Sequence, residues 1–305
     1  MRYVVTGAAG FIGSHLSERL LAAGHDVVPV DVFTDYYDVG LKEENARGLD
    51  TVRVDLAVDD LELAGIDGVF HLAGQPGVRS FGDVFDAYAR NNLVASRRVF
   101  EVAARAGVRV VFASSSSIYG DAERYPTPEE TEPRPISPYG ITKLGCEHLA
   151  RAYAQGFGLD VAVLRFFTFY GPRQRPDMAF ARLVDAVARG TSFELYGDGL
   201  QSRAFTYVAD GVDAIAAAME RAPAGATYNL GGGAEATMRD AIETLEAVSG
   251  RTLELVERPA AKGDVRRTAP DTTRIERDLG WRATTPLKRG LQAQWEWAAN
   301  RVAAR

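Results

Sequence analysis

A tyrosine and a lysine four residues apart, Tyr139 and Lys143 in YGITK, are the pair in this chain best suited to moving a proton. Positions i and i+4 share one helix face, so the ammonium can stand beside the phenol and favour its ionised form. A phenol so placed can act as a general base toward a hydroxyl group. Twenty-four residues before Tyr139, in the serine run Ser114 to Ser117, Ser115 could hold that hydroxyl. YxxxK alone is common on solvated helices, so its meaning depends on what surrounds it.

A second group lies at 164–179, LRFFTFYGPRQRPDMA, where Arg173 and Arg175 follow Thr168 within seven residues. A short hydroxyl beside two guanidinium groups suits an anionic ligand. Taken alone, the stretch reads more readily as an apolar strand running into a Pro-rich basic loop.

A third group is TGAAGFIGSHL at 6–16, with Gly7, Gly10 and Gly13 at intervals of three before a helical pattern. Glycines there let the backbone turn tightly and approach a pyrophosphate, whose charge meets a helix N-terminus. Asp31 ends the next apolar run, eighteen residues after Gly13. A carboxylate at that point can accept both hydroxyls of an adenosine ribose and repels a 2′-phosphate, which predicts NAD rather than NADP. Asp55 follows the third apolar run in VRVDLA. Both carboxylates could also be simple turn residues at strand ends.

The elements that must position these groups follow from periodicity. Apolar β-rich runs at Tyr3–Val5, Val27–Val30, Val52–Val54, Gly68–Leu72, Arg109–Ala113 and Val161–Arg165 read as strands. Amphipathic stretches at Phe11–Ala23, Asp83–Ala106 and Tyr139–Phe157 read as helices between them. Such alternation predicts an α/β protein with a doubly wound parallel sheet of Rossmann type. Past residue 170 the pattern changes to short strands near Glu194, Phe205 and Tyr228 among helices at Met178–Ala188, Ala209–Glu220, Met238–Val248 and Leu287–Ala298. That predicts a smaller C-terminal α/β substrate lobe. The expected division is residues 1–170 for the dinucleotide and the Ser/Tyr/Lys group, and 171–305 for the substrate lobe, with some exchange of sheet and helix between them.

With 305 residues, 46% of them hydrophobic, the chain can bury a full core. A formal charge of −6 argues against general affinity for nucleic acid or anionic membrane, so an anionic ligand needs a local basic pocket. The single cysteine, Cys146, excludes an intrachain disulfide and reads as a small core residue. His15, His25, His71 and His148 show no ligand spacing, and no metal is expected. No run approaches the roughly 20 apolar residues of a membrane span, and the N-terminus has no signal-peptide pattern, so a cytoplasmic location is expected.

The ordered triple of Gly-rich turn, serine-rich strand end and YxxxK resembles the extended short-chain dehydrogenase/reductase superfamily, in its NAD-dependent sugar-nucleotide epimerase/dehydratase branch. The resemblance runs nearly end to end. HLAGQPGVR at 71–79, Asn92, GDGLQSRAFTYVAD at 197–210, GDV at 263–265 and DLGW at 278–281 all have counterparts there. It implies that Tyr139, Lys143 and Ser115 are catalytic. It implies further that NAD contacts Gly7, Gly10, Phe11, Ile12, Gly13, Asp31, Asp55, Leu56, Leu72, Ala73, Asn92 and Ser114 as well as Tyr139 and Lys143, with Asp55 toward the adenine amino group. Val32, Gly74, Ala95 and Ala204 depart from frequent choices of the branch; Val32 weakens the expected ribose grip.

Members of that branch oxidise carbon 4 of a hexose and differ in the fate of the 4-keto intermediate. The dehydratases carry an Asp-Glu pair where this chain has Ser116 and Ser117, and the decarboxylases carry a glutamate at the second position. Without those carboxylates, both readings lose ground to 4-epimerisation. DYYDVGLK at 35–42, the serine run and the Thr168/RPDMA stretch resemble UDP-glucuronic acid 4-epimerases in particular. That resemblance implies sugar-carboxylate contacts from Ser116, Ser117, Thr168 and Arg175, with Ser115 at the reacting hydroxyl. It also implies Arg203, Arg266 or Arg79 at the diphosphate and Asp264 at the uridine ribose. The expected substrate is UDP-glucuronate, with neutral UDP-hexoses as the alternative and a non-catalytic NAD-binding protein as the competing class. The resemblance further implies a homodimer built on the helices at Asp83–Ala106 and Tyr139–Phe157.

Overall fold

The computed structural model describes residues 1–77, 84–233, 235–260 and 265–303. In the first half, strands β1 (Arg2–Thr6), β2 (Asp26–Asp31), β3 (Val52–Arg53), β4 (Gly68–His71), β5 (Arg109–Ser115) and β6 (Val161–Phe166) appear within two residues of their expected bounds. Between them run α1 (Phe11–Ala22), α2 (Val39–Asn45), α3 (Phe85–Tyr88), α4 (Ala95–Ala106) and α5 (Pro138–Phe157). Helices α3 and α4 form one rod joined by a π-helical turn at Ala89–Val94. The second half holds β7 (Thr168–Tyr170), α6 (Ala179–Arg189), β8 (Phe193–Tyr196), β9 (Ser202–Tyr207), α7 (Val208–Arg221), β10 (Thr227–Leu230), β11 (Glu235–Thr237) and α8 (Met238–Ser249). It ends with β12 (Leu255–Arg258), β13 (Arg267–Thr268), α9 (Thr273–Leu279) and α10 (Leu287–Ala303).

The expected doubly wound α/β architecture is present. Seven parallel strands lie in the order β10-β6-β5-β4-β1-β2-β3, so the chain winds outward from β1 in both directions. Central strands covered on both faces need apolar side chains on both, and β1 supplies them in alternation. Val5 faces a layer with Leu16 and Leu20 of α1 and Val212 and Ile215 of α7. Val4 faces the opposite layer with Val99 and Phe100 of α4 and Cys146 and Ala150 of α5. Cys146 is fully buried there, and burial pushes its thiol up, in keeping with a core role. A separate cluster joins α6, α8, α10 and β8 through residues such as Leu183, Leu195, Leu245 and Ala298.

One strand departs from its expected place. The Tyr228 strand, read with the second lobe, is β10 and extends the main sheet beside β6. Its TYNL run, buried from Tyr228 to Leu230, has the burial of a sheet strand, and α7 returns the chain to that edge. Small elements such as α2 and α9, of seven residues each, lacked enough turns to show a helical period.

Helix α7 lies so close to β7 that a Cβ built on Gly211 falls 1.7 Å from Cε1 of Phe169. Gly211→Ala is therefore expected to destabilise the fold by about 2–3 kcal/mol through overpacking. A urea midpoint equal to that of the parent protein would remove this account of the α7 contact.

Candidate functional site

The sheet reverses direction of winding between β1 and β4, and in such sheets ligands settle beyond the C-terminal strand ends at that point. A deep pocket lies there. Its floor is the turn after β1. A Cβ on Gly13 would fall 2.1 Å from the Gly7 carbonyl oxygen, and one on Gly7, at φ 72°, would fall 2.9 Å from the Ala73 nitrogen. Only glycine lets these segments close on each other. Gly10 is the N-cap of α1 and no side chain caps that end, which leaves first-turn N–H groups for an anion in the pocket.

Gly7, Gly10, Phe11, Ile12 and Gly13 line this pocket, joined by Asp31, Asp55, Leu56, Leu72 and Ala73 from neighbouring strand ends. Asp31 accepts the Phe33 N–H at 2.7 Å and the Ala9 N–H at 3.1 Å, which fix its carboxylate at the end of β2. Asp55 is held by Arg90 and by the Ala57 N–H; the Arg90 hydrogen bond, ahead of other influences, draws its carboxyl below the usual range. The donor set, with a Gly-built anion cradle and a carboxylate fixed at the end of β2, fits a dinucleotide.

Tyr139, Lys143, Ser114 and Ser115 line the same pocket. Ser137 caps α5 through the Gly140 N–H at 3.1 Å, and Pro138 follows at the first turn, so the helix begins just before Tyr139. Lys143 is buried and donates to the Ala113 carbonyl at 2.8 Å, anchoring the ammonium over β5. Gly74 leaves room for it: a Cβ there would lie 3.2 Å from the lysine Nζ. Ser115 Oγ donates to Ser117 Oγ and receives the Ser117 N–H, each at 3.1 Å. Asn92 does not line the pocket. It is fully buried in the π-helical turn, where its amide oxygen takes the Gln75 N–H at 2.8 Å and its amide nitrogen donates to Thr142 at 3.0 Å. Asn92 thus ties the loop after β4 to the Tyr139 helix, and π-turns of this kind often mark functional sites.

Beneath the serine run lies a buried polar chain. Ser114 donates to Glu147 at 2.5 Å, and Glu147 takes two hydrogen bonds from Arg165, Nε to Oε1 at 3.0 Å and Nη2 to Oε2 at 2.9 Å. Arg165 also donates to the Tyr119 hydroxyl at 2.7 Å, which donates to Asn229 at 2.7 Å.

The residues expected at the sugar separate into two places. Ser116 and Ser117 form a short 3-10 turn after β5, half-buried. Ser115 pairs with Phe166 in the sheet, so these serines and Thr168 leave adjacent strand ends. Arg175 lines the pocket with Tyr139, whereas Arg173 is turned away in a two-bond ion pair with Glu18 of α1. Arg203, on β9, donates to the Ser202 carbonyl at 2.7 Å and the Val265 carbonyl at 2.5 Å. Arg266 borders a shallower pocket with Tyr125 and Arg267 and lies 3.5 Å from Asp198. Arg79 and Asp264 lie outside the described residues. Sequence reasoning gave no role to Tyr36, Tyr37, Lys42 or Gln75, which line the main pocket. The DYYDVGLK match was the available signal for the first three. Among the described residues, no group of His, Cys, Asp or Glu side chains could hold a metal, and no helix is long and apolar enough to cross a membrane.

His71, fully buried below the cradle, bonds Thr6 at 2.8 Å and Ser96 at 3.0 Å, and Thr6 in turn receives the Ala73 N–H. Burial, with Lys143 nearby, pushes this imidazole down to about 3 from 6.5. Because the folded value is depressed, the stability from neutral His71 is complete above pH 6.5 and is lost as pH falls toward 3. Stability should fall ever more steeply as pH drops below 6.5, toward the slope of one proton taken up on unfolding, and His71→Asn should flatten that slope in urea titrations between pH 6.5 and 5. An unchanged slope would refute the assignment.

Comparison with known proteins agrees with the geometry. A family model described as the NAD dependent epimerase/dehydratase family matches residues 3–231. The chain is 40% identical over 303 residues, covering 95% of it and 96% of the relative, to a protein of Bacillus subtilis (strain 168) named uncharacterized UDP-glucose epimerase YtcB. The structure of UDP-glucuronic acid 4-epimerase from Bacillus cereus with UDP-glucuronic acid and NAD superposes with a TM-score of 0.94 at 36% identity, covering 98% of this chain and 99% of that one. MoeE5 with UDP-glucuronic acid and NAD superposes at 0.88 and 42% identity, covering 99% and 100%; the same protein is also known with UDP-glucose and NAD.

Proposed function

The chain belongs to the NAD-dependent epimerase/dehydratase family and is an NAD-dependent nucleotide-sugar epimerase, and from that premise we propose that it interconverts UDP-glucuronate and UDP-galacturonate by inversion at carbon 4. The observation carrying this reading is the meeting of Tyr139 and Arg175 in one pocket, beside a serine run where related dehydratases and decarboxylases carry carboxylates. NAD, when bound, supplies reversible hydride acceptance at carbon 4.

The chain's own residues supply the rest. Tyr139 takes the proton of the 4-hydroxyl and returns it after the hexose has turned over. Lys143, fixed on the Ala113 carbonyl, holds positive charge beside the phenol. Ser115 orients the reacting hydroxyl through its Oγ. Oxidation at carbon 4 of a uronate gives a β-keto acid, which loses carbon dioxide when the carboxylate bond aligns with the ketone π-system. Ser116, Ser117, Thr168 and Arg175 hold the carboxylate away from that alignment, and hydroxyls do so without acid-base help to its departure. Residues 1–170 carry NAD and the proton chemistry in this reading, and 171–305 carry the nucleotide end, with Arg203 and Arg266 toward the diphosphate.

A second reading, 4-epimerisation of neutral UDP-hexoses, is favoured by the name of the Bacillus subtilis relative and by the complex of MoeE5 with UDP-glucose. Proton NMR of the protein incubated separately with each substrate decides between them. We expect UDP-galacturonate from UDP-glucuronate at a kcat/KM at least about tenfold above that for UDP-glucose. Conversion of UDP-glucose alone would reject the uronate reading. Tyr139→Phe should lower kcat by about 10²–10⁴-fold while NAD stays bound, and near-parental turnover would remove Tyr139 as the base.

We also infer a homodimer. Phe85, Val94 and Ile141 are 43%, 41% and 52% exposed on α3, the π-helical turn and α5, where a second copy would cover them. Light scattering should give twice the chain mass, falling to one chain mass in Val94→Asp. A monomeric parent protein would contradict this.

A further inference from the structure

Arg175 is held by its neighbour in the loop after β7. Asp177 Oδ1 accepts from Nε and Oδ2 from Nη2, both at 3.0 Å, so one edge of the guanidinium fork is filled. Among the described residues no other hydrogen-bond partner takes Arg175. The end-on edge, Nη1 with the second Nη2 hydrogen, therefore remains for a second planar anion, and a carboxylate matches it with two parallel bonds.

The loop carrying this pair is itself fastened. The Gly171 N–H donates to Gln294 of α10 at 3.1 Å, and Gln294 donates to Gln174 at 3.0 Å. His15 of α1 lies 2.9 Å from the Pro172 carbonyl, and Arg173 is clamped on Glu18. From the opposite wall, Tyr36 reaches Asp177 Oδ2 at 3.4 Å. Burial first, and Asp177 next, push the Tyr36 phenol up to about 12, so at neutral pH it keeps its proton and donates. The Tyr36 loop starts at Asp31, and Lys42 secures it through the Thr34 carbonyl at 2.7 Å and hydroxyl at 2.8 Å.

We propose that Asp177, steadied by Tyr36, is a positioning residue that sets the angle at which Arg175 receives the sugar carboxylate, and thereby sets how much of the 4-keto intermediate survives to be reduced. This rests on the uronate reading above. A guanidinium released from Asp177 turns about its side-chain torsions and no longer fixes the carboxylate plane. The competing step is then open: the carbon 5–carbon 6 bond breaks, its electron pair enters the ketone π-system as an enolate, carbon dioxide leaves, and carbon 5 takes a proton. Because the ketone at carbon 4 has already formed, that step needs no further oxidant.

The test is the product ratio from UDP-glucuronate in the NAD-loaded enzyme, read by NMR as UDP-pentose and its 4-keto form against UDP-galacturonate. Four proteins are compared: the parent, Asp177→Ala, Arg175→Ala and the double variant. Asp177→Ala should raise the decarboxylated share about fivefold, and the double variant should not exceed Arg175→Ala, since a residue acting only through Arg175 adds nothing once Arg175 is gone. Tyr36→Phe should raise the share in the same direction by a smaller factor. Thermal melts and retained NAD absorbance show that each variant is folded and loaded. An unchanged share in folded Asp177→Ala, or an added effect in the double variant, overturns the proposal. A parent protein that does not turn over UDP-glucuronate overturns the uronate reading itself, a result visible before any variant is made.

Discussion

The site depends on a buried ion pair that touches neither of the proposed ligands. Glu147 and Arg165 have side chains only 6% and 7% exposed, and their two-bond contact joins α5 to β6. Glu147 stands four residues beyond Lys143 and eight beyond Tyr139, on one face of α5. Fixing it fixes the rotation of that helix about its axis, and hence where the phenol and ammonium point. The same carboxylate receives the hydroxyl of Ser114, so the strand end carrying Ser115 is referred to the same anchor. Through Tyr119 and Asn229 the chain of bonds reaches β10, and the Asn229 N–H meets Glu129 at 2.8 Å. Buried pairs of this kind contribute little net stability, because desolvation offsets most of the Coulomb gain; losing one partner is what costs. Their value here is geometric, since the strand ends and the helix carrying Tyr139 and Lys143 must agree on one arrangement.

A second layer of positioning surrounds the pocket. Asn92, in its π-helical turn, spans from the loop after β4 to α5, while His71 and Thr6 support the Ala73 N–H behind the Gly-rich turn. The cradle is thus rigid where a dinucleotide would lie. The proposed sugar end is built differently, from a 3-10 turn, a three-residue strand and a loop tethered by side chains. A rigid cofactor site beside a more local set of polar contacts suits a reaction in which a bound hexose must turn over between two hydride transfers.

The sequence was most legible where chemistry is written in local spacing. Gly7, Gly10 and Gly13, the strand-ending Asp31 and the i,i+4 pair Tyr139 and Lys143 depend on neighbours within a turn or one βα unit, and the alternation of elements revealed the parallel sheet. Contacts between distant segments were not legible. Tyr36 and Asp177 are 141 residues apart, and nothing in DYYDVGLK or RPDMA predicts that they face each other. Nothing in the local spacing marks Glu147, because its partner Arg165 lies on β6, 18 residues further along the chain. The Tyr228 strand misled for a related reason: its run is apolar enough for any sheet, and only the path of α7 decides which sheet it joins. Arg173 and Arg175 could be ranked but not resolved from sequence; Glu18, on a helix far upstream, is what turns one of them away.

In the proposed reaction this pocket binds a sugar carboxylate while Tyr139 addresses carbon 4. The most direct measurement is a crystal structure of Tyr139→Phe with NAD and UDP-glucuronate. The carboxylate is expected on the end-on edge of Arg175, within hydrogen-bond reach of Thr168 and the Ser116–Ser117 hydroxyls, with the 4-hydroxyl toward residue 139 and Ser115. A carboxylate directed to solvent, with Arg175 still bound by Asp177 alone, would contradict it.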